Sequence, residues 1–284
     1  MHRFTRRFST CVALIAGCAA LHANAQDIVA TPEVKASGKL TIASSLGYAP
    51  FEYVDSNGTP AGLDIELAEA AAKLMGVKLD IVTIPFASQI PSLASRRVKV
   101  GWATFSVTKE RLSQVDFVTF LSAGTVASTL PENASKFAKK TDLCGKNIAV
   151  QTGTSADFAA DKLSTECKTA GLPALKKQIY PGQQDTIQSV ITKRTDAMLD
   201  DSTSSSYYEV TSKGRLKVVP GAYYPTPLGL AVAKGDHSTA TMMSSAFQKL
   251  MNDGTYASIL AKYNMTSSAV TKPEIYTNAS QLGE

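Results

Sequence analysis

Two successive series of alternating strand-like and helical runs, divided by a Leu130-Pro-Glu-Asn133 break, constrain this 284-residue chain more than any other feature. In the first series residues 39–44 alternate as a strand. Residues 48–53 are irregular and lead to a Ser56-Asn-Gly58 turn. Asp64 is placed to cap a helix running to Gly76, with Leu67, Ala71 and Leu74 on one face. Strands follow over 77–84 and 98–105, with a short helix over 89–95 between them. A turn or short helix over 108–113 then precedes a strand over 115–120. The second series repeats the order: strand 146–150, tight turn 152–155, helix 156–170, strand 178–180, helix 184–193, strand 196–199. A strand over 229–234, a helix over 240–251 and a final helical turn over 256–263 close the pattern, with a loosely attached tail from Thr266. Strand–helix alternation of this kind predicts an α/β fold. Two sets in tandem, in a chain whose length suits about two domains at roughly 150 residues each, predict two lobes. Ligands of such sheets bind beyond the carboxyl ends of the strands, and between lobes where there are two.

The first 25 residues have the zones of a secretory signal: Arg3, Arg6 and Arg7, an apolar stretch over 11–21, and a small-residue site at Ala23-Asn-Ala25. The expectation is a signal peptide over 1–25, cut before Gln26, and a periplasmic product. A second reading exists, because Ile15-Ala-Gly-Cys18 resembles a lipobox that would leave Cys18 lipidated. The apolar stretch is too short to span a bilayer. The 29 basic residues of the chain include the three arginines of this leader, so the mature chain carries 26 against 24 acidic and is close to neutral. That balance argues for no nucleic-acid partner.

Export gives the cysteines their meaning. Cys11 and Cys18 leave with the leader, and the remaining pair, Cys144 and Cys167, is expected to form a disulfide worth roughly 3 kcal/mol in the chain-entropy model. Two thiols without a neighbouring histidine make half a zinc site, so no metal centre is expected. His237 is the one histidine beyond the leader, and it lies in a polar loop. Gly-x-Ser-x-Gly, Walker and Gly-x-Gly-x-x-Gly runs are missing, which weakens the hydrolase, kinase and dehydrogenase readings. No cofactor is implied.

Five stretches, in order, carry a resemblance. They are Tyr48-Ala-Pro-Phe-Glu-Tyr53, Gly62-Leu-Asp-Ile-Glu-Leu-Ala68, Phe105-Ser-Val-Thr-Lys-Glu-Arg111 with Val115-Asp-Phe117, Ile148-Ala-Val-Gln-Thr-Gly-Thr154, and Asp196-Ala-Met-Leu-Asp-Asp201. Together they resemble the periplasmic amino-acid-binding proteins of ABC importers, solute-binding family 3, over about residues 39–263. The resemblance implies a type II periplasmic-binding-protein fold with a ligand cleft between the lobes. One lobe comprises residues 38–127 with 225–284 and the other 128–224, with hinge segments near Ser128 and Tyr224.

It also implies roles. Arg111 falls on the arginine that grips a ligand α-carboxylate, where a planar fork of donors suits the task. A surface ion pair with Glu110 or Asp116 is its plain alternative. Ser106 and Thr104 stand at strand-end positions that complete the carboxylate and ammonium contacts, Thr104 through its backbone. Thr154 and Ser155 open a helix whose N–H groups face the carboxylate. Asp201 falls on the acid that receives the α-ammonium, and Tyr48 and Phe86 on the aromatic walls. Ser45, where members that bind cations often carry an acid, and Gln151 both point to a neutral polar amino acid. Asp200 is an extra acid beside Asp201 with two readings: facing the cleft it restores preference for a cation, and as a strand neighbour on the opposite face it is simply solvated. Lys99 reads as surface.

The function so implied is capture of a small amino acid by hinge closure and delivery, as a monomer, to an ABC permease and its ATPase subunits, with no catalysis. Two alternatives stay open. One is a cyclohexadienyl (prephenate/arogenate) dehydratase-like enzyme on the same fold, for which Asp200 is the spare proton donor. The other is a ligand-sensing subunit using the same cleft.

Overall fold

The computed structural model describes residues 30–282. The signal-peptide region and Cys18 lie outside the described residues. A short helix α1 (Pro32–Ser37) leads into β1 (Lys39–Ser44), and a three-stranded sheet of β2 (Gly47–Tyr48), β3 (Glu52–Val54) and β4 (Pro60–Ala61) follows. Helix α2 (Leu63–Leu74), β5 (Lys78–Thr83), α3 (Phe86–Ala94), β6 (Val100–Ser106) and the single turn α4 (Lys109–Leu112) complete the first series. The long strand β7 (Val115–Thr129) then runs on to the second: β8 (Asn147–Gln151), α5 (Ser155–Thr169), β9 (Lys176–Tyr180), α6 (Gln183–Ile191), β10 (Ala197–Asp201) and α7 (Ser202–Thr211). The chain returns through β11 (Lys217–Val218) and β12 (Tyr223–Ala233), and ends with α8 (His237–Asn252), α9 (Thr255–Lys262) and β13 (Ile275–Tyr276).

The main sheet has the order β5-β1-β6-β12-β7-β10-β8-β9. Each flank is a parallel trio, β5-β1-β6 on one side and β9-β8-β10 on the other. The second trio mirrors the first, as the repeated sequence pattern predicted. The antiparallel pair β7 and β12 joins them. Hydrophobic cores divide the same way. Leu40, Ile42, Trp102, Phe120 and Phe247 pack with the first trio, whereas Ile148, Val150, Leu163 and Leu199 pack with the second. The fold is mixed α/β and two-lobed.

Three local expectations change. Strand β7 extends nine residues past Phe120, because residues 121–129 pair in turn with β12, β11 and β10 and continue the same ladder. Asp64 is not a helix cap: α2 begins at Leu63 with Gly62 at the cap, and the Asp64 side chain turns inward and is fully buried. Gly62 has φ +122°, and a β-carbon there would lie 2.2 Å from the Phe51 carbonyl oxygen, so glycine alone lets β3 and α2 approach. The tail is also attached. Strand β13 pairs with β7, Ala269 bridges to Leu121, and Tyr276 is buried.

The Cys144–Cys167 disulfide forms as expected, closing a sequence separation of 23 residues. It ties α5 to the segment ahead of β8, and so anchors the helix whose opposite end faces the cleft. Replacing both cysteines by serine is expected to cost about 3 kcal/mol, which scanning calorimetry would record as a melting point lower by several degrees.

Candidate functional site

At the carboxyl ends of β1, β6, β8 and β10, between the two core groups, lies a cavity of ≈ 190 Å³. That is below the roughly 300–1,000 Å³ of pockets for drug-sized ligands and limits the occupant to a small molecule. Ser45, Tyr48, Phe86, Thr104, Ser106, Arg111, Gln151, Thr154, Ser155 and Asp201 all line it. These are the ten residues singled out from sequence. Sequence reasoning missed Gln183 with Pro181 and Gly182, and it left open the placement of Asp200, which also lines the cavity.

Arg111 reaches the cavity because β6 ends at Ser106 and one helical turn follows, with Thr108 at its N-cap accepting from the Arg111 N–H. Its Nη1 donates to the Ser106 carbonyl at 2.7 Å, and its Nη2 donates across the cleft to the Gly153 carbonyl at 2.6 Å. The guanidinium carbon lies 5.5 Å from the ring centres of both Phe86 and Phe105. Phe86 itself stacks on Phe105. The surface ion pair is not formed: Asp116 is held instead by Lys234 at 2.9 Å and by the Gly235 N–H. Burial lowers the Arg111 pKa to about 10, with Asp201 opposing the shift, so the group stays cationic at neutral pH.

The opposite wall comes from the second trio. Strand β8 ends at Gln151, and the turn through Gly153, at φ +70°, delivers Thr154 to the N-cap of α5. The Thr154 hydroxyl accepts from the Asp157 N–H, and the N-terminus of this 15-residue helix opens on the cavity. The Gln151 amide is partly used, donating to the Pro181 carbonyl at 3.4 Å.

Strand alternation fails for the two aspartates. Asp201 is the last residue of β10, still extended at φ −67° and ψ 143°, and α7 begins at the next residue, so the strand pattern ends there. Both carboxyls line the cavity and both are buried, which decides between the two placements open for Asp200 in favour of the cleft. Tyr48, from the other wall, places its hydroxyl 2.9 Å from Asp200 and 3.1 Å from Asp201. Gln183, the first residue of α6, donates to Asp200 at 2.6 Å. The Pro181-Gly182-Gln183 run opens a helix just as Thr152-Gly-Thr154 does, and that shared pattern was the signal available in the sequence.

Burial pushes Asp200 up to about 8, aided by Asp201 beside it. Asp201 rises to about 6, again through burial, with Tyr48 and Arg111 holding it lower. Two acids this close do not both ionise readily without a cation between them.

The floor is built from the first trio. Ser45 donates to Glu52 at 2.9 Å, and the Thr104 hydroxyl lies 2.8 and 2.7 Å from the two Asp64 oxygens. Thr104 has φ +42°, rare for a β-branched residue. Its side chain, and not only its backbone, is thus engaged.

The cavity pairs one arginine on one wall with two carboxyls on the other, an arrangement that holds a small zwitterion. Comparison with known proteins agrees. The profile of the bacterial extracellular solute-binding proteins, family 3, matches residues 40–266. The L-arginine-binding protein of Pseudomonas aeruginosa is 29% identical, over 86% of this chain and 95% of its own. The probable histidine-binding protein of Neisseria gonorrhoeae is 27% identical over 82% of this chain and 86% of its own. Among solved structures, the ancestral amino acid-binding protein AncCDT-1, described as a precursor of cyclohexadienyl dehydratase, superposes with a TM-score of 0.74 at 30% identity, covering 81% of this chain and 97% of its own. The match spans most of the chain and every wall of the cavity, and the chain belongs to family 3 of the bacterial extracellular solute-binding proteins.

Proposed function

We propose that this protein captures a basic amino acid in the cleft and presents the closed complex, as a monomer, to an ABC permease with its ATPase subunits. Arg111, with the Thr154 and Ser155 end of α5, holds the α-carboxylate, and Asp201 receives the α-ammonium. Tyr48 and Phe86 flank the ligand. The contacts come from both lobes, residues 38–127 with 225–284 and residues 128–224, so the ligand favours the closed arrangement by differential affinity. Hinge bending is assigned to β7 near Ser128 and β12 near Tyr224. Secretion through the 1–25 leader puts the protein in the periplasm.

One observation carries the choice of ligand. A zwitterion uses Arg111 and Asp201 and leaves Asp200 as a second buried acid in the same cavity, a partner for a cationic side chain. The neutral polar ligand inferred from Ser45 and Gln151 gives way to this, since the hydroxyl of one and the amide of the other are engaged within the protein. Relatives named for arginine and histidine support the same class.

A thermal-shift screen of the mature protein against the twenty amino acids tests it. At 100 times its dissociation constant a ligand stabilises by about 2.7 kcal/mol, a shift of several degrees, and arginine, lysine or histidine is expected to give it. Asp200→Asn is expected to weaken that ligand by about 10- to 100-fold, the loss of one charge-assisted contact, with a smaller effect on neutral amino acids. A shift from neutral amino acids alone would reject the basic-ligand reading.

The same acid favours a second reading. A carboxyl still protonated near neutral pH is a candidate proton donor for a leaving hydroxyl, as a dehydratase acting on prephenate requires. Prephenate included in the screen, with its consumption followed over time, separates the two.

A further inference from the structure

Beneath the cavity floor lie two acids that the capture of a zwitterion does not use. Glu52, from β3, and Asp64, from α2, are both fully buried. Neither faces a basic side chain. The charges and hydroxyls around them are each other, Ser45 at the end of β1, Thr104 on β6 and, further off, Tyr208 of α7. Two such carboxylates cannot both stay ionised in a dry interior. The hydrogen bonds say which one carries the proton. Asp64 accepts from Thr104, and the Trp102 indole N–H favours its anion without reaching hydrogen-bond geometry. Glu52 accepts from Ser45 through Oε1, while its Oε2 meets no donor. A buried carboxyl oxygen without a donor is satisfied by holding the proton itself and donating it, and Asp64 is the acceptor within reach. Burial and the Asp64 charge both push Glu52 well above the usual carboxylate range, in keeping with that assignment.

The consequence is felt at the floor. A hydroxyl has one proton to give. Ser45 gives its proton to Glu52 and Thr104 gives its proton to Asp64, so both turn only lone pairs toward the cavity. We propose that Glu52 and Asp64 share one proton beneath the cleft and thereby make Ser45 and Thr104 obligatory hydrogen-bond acceptors, which select a ligand side chain ending in N–H donors. This deepens the basic-amino-acid reading and rests on it for the identity of the ligand. It also explains the floor chemically: the acid absent at position 45 is present one layer behind it, acting through the Ser45 hydroxyl. The left-handed backbone of Thr104, costly for a β-branched residue, is held where its hydroxyl meets Asp64. Glu52 and Asp64 are positioning residues, acting through the two hydroxyls.

L-Arginine and L-citrulline are suitable probes, because citrulline replaces one terminal donor nitrogen by an acceptor oxygen at nearly constant shape. Titration calorimetry of wild type, Glu52→Met and Glu52→Gln is the first arm. Methionine leaves Ser45 free to turn its proton toward the cavity, so Glu52→Met is expected to lose about tenfold in arginine affinity and to narrow the arginine-to-citrulline ratio by about tenfold, one hydrogen bond's worth. Glutamine accepts from Ser45 and donates to Asp64, so Glu52→Gln is expected to recover most of both. The second arm is infrared spectroscopy of wild type and Glu52→Gln, which does not depend on the ligand. Asp200 contributes an acid carbonyl stretch to both proteins, so the wild-type-minus-variant difference spectrum is expected to show one further protonated-carboxyl stretch, lost with Glu52. An unchanged ratio in Glu52→Met, or the same acid band in Glu52→Gln as in wild type, would overturn the proposal. If the wild type binds neither probe, arginine is not the ligand and the thermal-shift screen decides the basic-ligand reading, while the infrared arm still decides whether the pair holds its proton.

Discussion

Arg111→Ala is expected to abolish amino-acid binding in titration calorimetry, a loss of about 3–5 kcal/mol or roughly 100- to 5,000-fold. The magnitude follows from burial. Arg111 is 3% exposed, and alanine would leave a ligand carboxylate in a buried site without its counter-charge and facing two acids. Stability should fall as well. The guanidinium bonds the Ser106 and Gly153 carbonyls and packs against three phenyl rings, so its removal strands two buried acceptors. Arg111→Lys keeps the charge and loses the planar fork, and should bind with intermediate affinity. A variant that binds normally without Arg111 would show that the carboxylate lies elsewhere.

Ligand-free stability and ligand affinity are expected to move in opposite directions with pH. In the folded protein Asp201 is raised to about 6, Asp64 to about 7, Asp200 to about 8, and Glu52 well above its ordinary value. In the unfolded chain all four ionise near pH 4. Through the interval between, the native state binds more protons than the unfolded one, so stability is fully present near pH 4 and declines as pH rises toward about 8. The acids whose pKa is lowered, such as Asp55, Glu132 and Asp253, are exposed and act only at the acid end. The melting point of the empty protein should therefore drop by several degrees between about pH 5 and about pH 8. Affinity for a basic amino acid should rise over the same interval, because the ligand's cations bind the ionised forms of Asp201 and Asp200. Calorimetry at stepped pH, with and without L-arginine, checks both. A flat profile for the empty protein would mean that water or motion relieves the burial of these acids.

Most of the architecture was legible before any coordinates. Period-2 and helical runs located both trios and the helices between them, since alternation reports which face of an element is covered. The ten cavity residues were reached through the resemblance that the five stretches carry, and all ten line one cavity at the end of the sheet where this fold opens its cleft.

What escaped the sequence lies where local periodicity ends and distant segments meet. Strand alternation left open whether Asp200 faces the cleft; both aspartates line it, at the point where β10 ends and α7 begins. Asp64 carries the local signature of a helix cap, yet Gly62 starts the helix and the side chain pairs with a residue 40 positions away. The tail from Thr266 has little local pattern of its own and takes its order from β7. Composition and spacing are properties of neighbours along the chain, and they specified the elements and the disulfide partners, while the resemblance supplied the cavity residues. Protonation, hydrogen-bond direction and the count of charges in the cleft depend on which residues share a dry interior, and only the packing of the two lobes decides that.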